Sequence, residues 1–149
     1  MSPLMPYPKE YQVATIKFQE FLMDVKNNAD FGSGHMAYTL AQGVFQVFRR
    51  RLSLEQAILF ADTLPVGLRA LFVSDWNPNE QQKAFTDRQQ MNQEVAELRP
   101  KHNFAHLTGD PINDVAKALR NQVDEQEMDR LLSTFPDGAM EFWQPHNHP

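Results

Sequence analysis

Residues 44–72 have the sequence VFQVFRRRLSLEQAILFADTLPVGLRALF. Apolar residues recur along it at steps of three and four, which is the spacing of one face of an α-helix. Ser53 followed by Gln56 has the form of a capping box, in which the serine hydroxyl accepts an amide proton of the first turn and the glutamine reaches back. Pro65 suits the first residue of a further helix, because the amide proton that it lacks would be unpaired there. This stretch therefore predicts the end of one helix and two short helices after it.

The residues before this stretch predict two helices and an arm. A helical stripe of apolar residues runs from Ala14 to Val25, and the asparagines and glycines at positions 27–34 are expected to end that helix. A second helix is expected over about residues 35–51, with arginines at its C-terminal end, where the helix dipole favours cations. Three prolines make residues 1–8 an extended arm.

The residues after position 72 predict a connection and further helices. Residues 73–85 include Trp76, Asn77 and Pro78, a composition that suits a connecting loop. The helix starts expected in this half are Thr86 with Gln89 as a capping box, Asp110 with Pro111 as cap and first residue, Asp124 with Glu127 as a capping box, and Pro136. No segment alternates with the two-residue period of a strand. The sequence therefore predicts an all-α fold of about eight short helices.

The second half of the chain matches the first at a shift of 71 residues. The shift places the cap Ser53 on Asp124 and Pro65 on Pro136. The other matched pairs are Val44 with Val115, Phe48 with Leu119, Leu52 with Val123, Ala57 with Met128, Phe60 with Leu131, Leu64 with Phe135, Gly67 with Gly138 and Phe72 with Trp143. Agreement of a cap, a proline, a glycine and an aromatic residue in one register predicts an internal repeat.

The repeat predicts how the chain is divided. We expect two four-helix units, over residues 9–72 and 86–143, fused through one core because neither unit alone is large enough to bury its apolar face. Residues 73–85 connect the units, and residues 144–149 form a tail. With 149 residues in all, the chain is expected to make one compact domain.

Composition excludes several classes of function. Fourteen basic and 19 acidic residues give a net charge of −5 and a pI near 5.5, so no long-range attraction to nucleic acid or anionic lipid is expected. The chain has no cysteine, which excludes disulfides, thiolate metal sites and cysteine nucleophiles. No apolar run approaches the roughly 20 residues of a membrane span. We expect a cytoplasmic protein that binds neither nucleic acid nor membrane.

The histidines form two pairs that invite a metal hypothesis. His102 and His106 are four residues apart, and His146 and His148 lie together near the C-terminus. Each pair would need a third ligand and acceptors that orient the rings, and the spacing supplies neither. We interpret these residues as surface histidines and expect neither a metal nor another cofactor.

Three arginines and one tryptophan are the candidate contacts for a ligand or partner. Arg49 and Arg51, in the run Arg49-Arg50-Arg51, together with Arg69 could hold an anion, since guanidinium groups suit bidentate oxyanions, or could pair with nearby carboxylates. Arg51 could instead brace the junction between the second and third helices. Trp76 could be an exposed anchor for a partner or a lid on the end of its own core. No phosphate loop, nucleophile elbow or zinc-protease pattern is present, so no catalytic residue is predicted.

One set of residues, most of them in the opening stretch, forms a recognisable pattern: Arg51-Leu52, Glu55, Ala57, Leu64-Pro65, Arg69 and Trp76. In these residues the chain resembles the bacterial "domain of unknown function 2267" family. The resemblance covers about residues 13–143 as two tandem units, and it implies a bacterial, cytoplasmic, all-helical protein with no assigned activity.

The second unit departs from the family pattern more than the first. Thr63 stands where the family commonly has glutamine, whereas the second unit has Gln122-Val123, Thr134-Phe135-Pro136, and Glu141 in place of an arginine. If the family residues form a site, the resemblance implies that the second unit has lost it.

Two hypotheses of function follow from the sequence. The first is a non-enzymatic module that binds a protein partner or a second copy of itself through apolar surface near Trp76 or through the N-terminal arm. The alternative is a protein that binds a small molecule or an anion with Arg49, Arg51 and Arg69 between the two units.

Overall fold

The computed structural model describes residues 7–29, 34–98 and 109–146. Within these residues the chain forms nine helices and no strand, so the all-α prediction is confirmed. The helices are α1 (Lys9–Gln12), α2 (Ala14–Ala29), α3 (Gly34–Arg49), α4 (Leu54–Asp62), α5 (Val66–Val73), α6 (Arg88–Leu98), α7 (Pro111–Arg120), α8 (Glu125–Leu132) and α9 (Ala139–Phe142). The predictions for residues 1–6, Gly32 and Pro100 lie outside the described residues.

Helix α3 is the centre of the core. Every residue from Thr39 to Arg49 is buried, and α3 packs against α2, α5, α6 and α7. Gly43 allows α6 to approach, because a Cβ at that position would lie 3.3 Å from Cγ1 of Val95. Helix α2 packs in turn on both α3 and α7. Helices from the two halves of the chain are therefore joined in one hydrophobic core.

Phe48 is the meeting point of the aromatic side chains in this core. Its ring centroid lies 4.8 Å from that of Phe60, 5.0 Å from Phe142, 5.2 Å from Trp143 and 5.8 Å from Phe85. The rings meet in tilted or edge-on orientations, which aromatic quadrupoles favour over face-to-face stacking. The contacts link α3 to α4, to the connection before α6 and to the C-terminal end of the described chain.

Several helix caps form as the sequence predicts. Ser53 Oγ accepts the amide proton of Gln56 at 3.2 Å, and Gln56 Oε1 accepts that of Ser53 at 2.9 Å, which completes the capping box of α4. Asp110 caps α7 by accepting the amide proton of Asn113 at 3.1 Å. These local bonds satisfy amide groups that the first turn of each helix leaves unpaired. Asp124 caps α8 by accepting the amide proton of Glu127 at 3.1 Å, which confirms the cap but not the reciprocal bond of the predicted capping box.

One predicted boundary in the first half of the chain is confirmed and one is wrong. Helix α2 ends at Ala29, within the stretch of asparagines and glycines at positions 27–34 that is expected to end it. In that last turn Asn28 Nδ2 donates to the carbonyl of Asp114 on α7 at 3.0 Å. Pro65 precedes α5 instead of beginning it, with ψ of 156° outside the helical range.

Two predicted boundaries in the second half are also wrong. Helix α6 is capped by Asp87, which accepts the amide proton of Gln90 at 2.8 Å, and not by Thr86 with Gln89. This start brings Met91 and Val95 to the core. The last helix begins at Ala139 and not at Pro136, because Gly138 has a φ of 101° and interrupts the helical backbone.

The helices keep the register of the 71-residue shift. Helices α3 and α7 end at Arg49 and Arg120, and helices α4 and α8 begin at Leu54 and Glu125. Both positions of each pair are 71 residues apart. The division into a duplicated unit, with its bounds, stays a prediction.

Replacing Gly138 with alanine is expected to lower the free energy of unfolding by roughly 1–3 kcal/mol. The position has a positive φ, and a Cβ there would lie 2.7 Å from Cβ of Phe85. Gly34→Ala is the matched control, because nothing lies within 4 Å of its Cβ position. Thermal unfolding followed by circular dichroism compares the two variants. Equal stability of Gly138→Ala and Gly34→Ala would contradict this explanation.

Candidate functional site

A groove of about 450 Å³ lies between the C-terminal end of α3, the start of α4 and the connection that follows α5. Its volume is in the range of pockets that accept a drug-sized molecule or a few side chains of a partner. The apolar residues that line it are Leu52, Leu54, Trp76 and Pro78, and the charged ones are Arg49, Arg50 and Glu80. We call this cavity the Trp76 groove.

Arg49 forms the floor of the groove and faces the protein interior. Its Nη1 donates to the carbonyls of Phe72 at 2.7 Å and Ser74 at 2.9 Å, and its Nη2 donates to that of Asp75 at 3.4 Å. Burial lowers the pKa of the guanidinium, and Arg50 nearby acts in the same direction while Glu80 and Asp75 oppose it. Arg49 therefore satisfies the carbonyls at the end of α5 and fixes the chain that follows.

The turn after α5 is held in an uncommon conformation. Asp75 has a φ of 53°, a left-handed value that aspartate tolerates better than most residues. Gln42 Nε2 on α3 donates to Ser74 Oγ at 3.0 Å and to Asp75 Oδ2 at 3.3 Å. Two side chains of the central helix, Gln42 and Arg49, thus hold the turn that presents Trp76.

The Trp76 ring packs against Arg49 and Phe72, and the residue also lines the groove. The guanidinium carbon of Arg49 lies 5.0 Å from the centre of its ring, within the range of a cation–π contact. The ring also meets Phe72 edge-on at 6.5 Å. The side chain is partly buried. Trp76 therefore covers the end of the core and also lines the groove.

Three cations converge on Glu94 directly behind the groove. Arg51 Nη2 lies 2.7 Å from Glu94 Oε2, and Arg50 Nη1 and Lys83 Nζ each lie 3.1 Å from Oε1. Arg50 Nε also pairs with Glu80. We call Arg50, Arg51, Lys83 and Glu94 the Glu94 cluster. It ties the end of α3 to α6 and to the connection between the two halves.

The charges of the cluster determine the ionisation of Glu94. Burial by itself would raise the pKa of the Glu94 carboxyl, but hydrogen bonds from Arg51, Lys83 and Arg50 outweigh burial and lower the pKa below its ordinary value. The carboxylate is therefore held in its charged form by its three partners.

The predicted arginines do not come together as one anion site. Arg51 is 3% exposed, and its Nη1 donates to the carbonyl of Val47 at 2.8 Å, so it braces the end of α3 as well as pairing with Glu94. Arg69 donates to the carbonyls of Ala61 and Leu64, both at 3.1 Å, and closes the corner between α4 and α5. Of the three, only Arg49 lines the Trp76 groove.

Arg120 occupies the position that corresponds to Arg49 under the 71-residue shift. Its Nε donates to the carbonyl of Trp143 at 2.7 Å, as Arg49 donates to that of Phe72. Asp129 and Glu125 then cover it, at 2.8 Å and 3.2 Å. Burial by itself would lower the pKa of Arg120, but the hydrogen bonds that Arg120 donates to Asp129 and Glu125 outweigh this and raise it. Arg120 is thus paired with two carboxylates, whereas Arg49 contacts the Trp76 ring and lines the groove.

Helix α4 exposes large apolar side chains beside the groove. Leu54 is 67% exposed, and it lines the groove as well. Ile58, one turn further along α4, is 58% exposed, and Leu59 is 45% exposed. We call Leu54, Ile58 and Leu59 the α4 face. It extends the apolar surface of the groove over the neighbouring helix.

Two further properties bear on the kind of site. Among residues 7–29, 34–98 and 109–146, no three histidines or carboxylates come together in a way that could hold a metal ion. His102, His106 and His148 lie outside these residues. In the same part of the chain, no helix has the length and hydropathy needed to cross a membrane.

The sequence patterns point to Arg49, Arg50 and Arg51 but not to Glu94, Arg120 or the exposed side chains of the α4 face. Glu94 could not be paired with Arg51 from local pattern, because 43 residues separate them. Arg120 did carry a signal, since it falls on Arg49 in the same register as the paired caps.

A comparison with protein families identifies the chain. The family model described as "Uncharacterized conserved protein (DUF2267)" matches residues 18–142, which is more than half of the chain. The matched residues include the Trp76 groove, the α4 face and the Glu94 cluster. No curated protein matches this chain. The resemblance drawn from the sequence motifs is confirmed, and the chain belongs to the DUF2267 family of uncharacterized conserved proteins.

Proposed function

We propose that this protein is a non-enzymatic interaction module of the bacterial cytoplasm, and that it binds a partner protein through the Trp76 groove and the α4 face. The observation that carries the proposal is the exposure of Leu54 and Ile58 beside a formed groove. Contiguous apolar surface next to a cavity is typical of protein interaction sites. Burying each of these side chains would contribute roughly 1.5–3 kcal/mol to binding.

The polar groups of the groove favour binding over catalysis. Ser53 supplies a hydroxyl at the groove, but that hydroxyl accepts the Gln56 amide proton as a helix cap. Of the described residues that line the groove, none is a histidine that could serve it as a base. A serine nucleophile needs such an activating partner within hydrogen-bond reach.

The anion-binding alternative has less support. Arg49, Arg51 and Arg69 each donate two or more hydrogen bonds to protein groups, mostly backbone carbonyls. An anion would have to compete with these carbonyls, and a buried carbonyl left unpaired costs about 1–3 kcal/mol. We therefore assign these arginines to the framework that supports the groove.

We also propose that the chain is a duplicated helical unit whose two copies have diverged. Arg49 and Arg120 support this, because they end corresponding helices and donate to the carbonyls of corresponding residues, Phe72 and Trp143. In this view the first unit kept an open groove over its arginine. The second unit acquired Glu125 and Asp129 at the equivalent position, which makes it a natural internal control.

Serine in place of Leu54 or Ile58 is expected to abolish partner binding without loss of stability. Both side chains are more than half exposed, so each variant should keep its free energy of unfolding within about 0.5 kcal/mol. Binding by Ile58→Ser is measured by photo-crosslinking from p-benzoylphenylalanine, itself an apolar side chain, in place of Leu54, and binding by Leu54→Ser from the same group in place of Leu59, in cells of the organism that encodes the protein. The same group in place of Glu125, the equivalent position of α8, is the matched control.

The outcomes of this experiment separate the hypotheses. Adducts from position 54 that disappear with Ile58→Ser or Trp76→Ala, with none from position 125, support the proposal. Trp76→Ala should remain folded, since its side chain is only partly buried, and circular dichroism checks this. Equal adducts from both positions, or unfolding of Trp76→Ala, would contradict it.

A further inference from the structure

We infer that the Trp76 groove binds a segment of the partner protein that carries both a carboxylate and apolar side chains. The carboxylate of that segment binds Arg50, which pairs with Glu80 in the free protein. The inference rests on the proposed interaction function and specifies its partner. Three observations support it: the charge of the groove, the free donor of Arg50, and the apolar surface beside that donor.

The groove is a positive region on a negative protein. Its lining includes Arg49 and Arg50 against the carboxylate of Glu80, and Asp75, just outside the lining, offsets part of the charge of Arg49. Behind it, the Glu94 cluster adds two further cations, Arg51 and Lys83, for one carboxylate. The chain as a whole carries a net charge of −5. Charge complementarity of this kind selects acidic partners and disfavours basic ones.

Of the two cations that line the groove, Arg50 is the one that a partner can reach. Its side chain is 21% exposed, whereas Arg49 is only 4% exposed. Its Nε pairs with Glu80 and its Nη1 with Glu94, while Nη2 makes no hydrogen bond within the described part of the chain. Its carbonyl accepts the amide proton of Lys83 at 2.9 Å, which holds its backbone in place. Arg50 therefore offers a positioned donor to an incoming carboxylate.

Apolar surface lies directly beside this donor. Leu54, Trp76 and Pro78 line the same groove as Arg50, so a ligand that places a carboxylate on Arg50 can place an apolar side chain against them. Ile58 and Leu59 extend the apolar surface beyond the groove. A small carboxylic acid would leave that surface exposed, whereas a protein segment would cover it. The occupant that fits is therefore a protein segment.

Glu80 acts as an internal competitor for Arg50. It belongs to the tight turn in which its amide donates to the carbonyl of Asn77 at 3.1 Å, and its side chain is 26% exposed. Removing its charge leaves the Arg50 pair with Glu94 in place and makes the groove more positive. A carboxylate of the partner is then not repelled by Glu80 and does not compete with Glu80 for Arg50.

Neutral substitutions at Arg50 and Glu80 are expected to change affinity in opposite directions. Arg50→Gln should weaken binding on the order of tenfold, and Glu80→Gln should strengthen it about threefold. Arg50→Lys should bind with intermediate affinity because it keeps the charge. Arg130→Gln and Glu127→Gln, exposed on α8, are the matched controls and should change affinity little.

The probe is a phage library of random twelve-residue peptides, selected on the full chain and titrated by fluorescence anisotropy after synthesis. We expect enriched peptides to carry aspartate or glutamate close to leucine, phenylalanine or tryptophan, and to lose binding with Leu54→Ser. Circular dichroism checks that Arg50→Gln is folded. If Arg50→Gln is unstable, Glu80→Gln still tests the inference, because its expected effect is tighter binding.

Each other outcome has a distinct meaning. Neutral or basic peptides that still need Leu54 would overturn the inference and leave the proposed function standing. If the selected peptides bind Leu54→Ser as well as the unsubstituted protein, or if no peptide is enriched, both the inference and the proposed function would be overturned. The Trp76 indole resonance could shift with millimolar 3-phenylpropionate, but not with its amide, as much as with the selected peptides. That result would identify a small carboxylic acid as the ligand and would contradict a partner segment. A dimer in sedimentation velocity that Leu54→Ser dissociates would identify a second copy instead.

Discussion

Phe48→Ala is expected to lower the free energy of unfolding by about 3–5 kcal/mol. Phe48 has no exposed surface, and its ring contacts four other aromatic rings. Alanine removes the apolar area and leaves a cavity that its neighbours cannot fill, because they come from α4, α9 and the connection before α6. Trp143, which meets Phe48 at 5.2 Å, reports the change directly.

Urea unfolding, followed by tryptophan fluorescence and by circular dichroism, measures the change in the free energy of unfolding. In thermal unfolding of the same variant, the melting temperature should fall by roughly 10 °C for a chain of this size. Ile58→Ala is the control, since that side chain is 58% exposed, and it should cost less than about 0.5 kcal/mol. Equal losses from Phe48→Ala and Ile58→Ala would show that Phe48 is not a central contact of the core.

Glu94→Gln is expected to lower the free energy of unfolding by about 2–3 kcal/mol. The substitution leaves Arg50, Arg51 and Lys83 close together without their shared carboxylate. Arg51 is the most affected, because its side chain is 3% exposed and water cannot easily replace its partner. The expected loss is below that of a fully buried pair, since Glu94 is 13% exposed.

The pH dependence provides a second test of the Glu94 cluster. Because the pKa of Glu94 is lowered in the folded protein, the unfolded chain takes up a proton first as the pH falls. The contribution of Glu94 is therefore complete above its ordinary pKa of 4.5, and it is lost as the pH falls from there through the folded value. Glu94→Gln should remove this part of the acid dependence.

Glu97→Gln is the matched control for Glu94→Gln. Glu97 lies almost one turn further along α6, is exposed, and accepts one long hydrogen bond of 3.4 Å from Gln93. It should cost less than about 0.5 kcal/mol and leave the acid dependence unchanged. Unfolding curves between pH 3 and pH 7, at low and high salt, compare the variants. Parallel pH profiles for Glu94→Gln and the unsubstituted protein would contradict the role given to the cluster.

Much of the helical architecture could be predicted because its signals are local. The capping box of Ser53 and Gln56, and the cap of Asp110, depend on residues three apart. The chemistry of such caps is complete within one turn, so the order of residues is sufficient to identify them. A prediction of this kind was wrong where two neighbouring residues could both cap the helix, since Asp87 and not Thr86 caps α6.

The candidate site could be predicted only in part. Arg49 and Trp76 were both candidates, and the structure brings them together at 5.0 Å. Arg51 lies in the adjacent Glu94 cluster, whereas Arg69 belongs to a different corner of the fold. No periodicity distinguishes an arginine that binds a carbonyl from one that is open to a ligand. That difference depends on which backbone groups the tertiary structure leaves unpaired nearby.

The sequence by itself determined the all-α class, the helix starts at the caps Ser53, Asp110 and Asp124, and the apolar stripes, because these depend on contacts within a turn or on which side of a helix is apolar. The tertiary structure decided which polar groups found partners. It directed Arg49 to the end of α5, gathered three cations on Glu94 and left Leu54 and Ile58 uncovered beside a groove. The physical reason is distance along the chain. Charges and carbonyls more than 20 residues apart have no local pattern that connects them, and only the packing of the helices brings them within hydrogen-bond range.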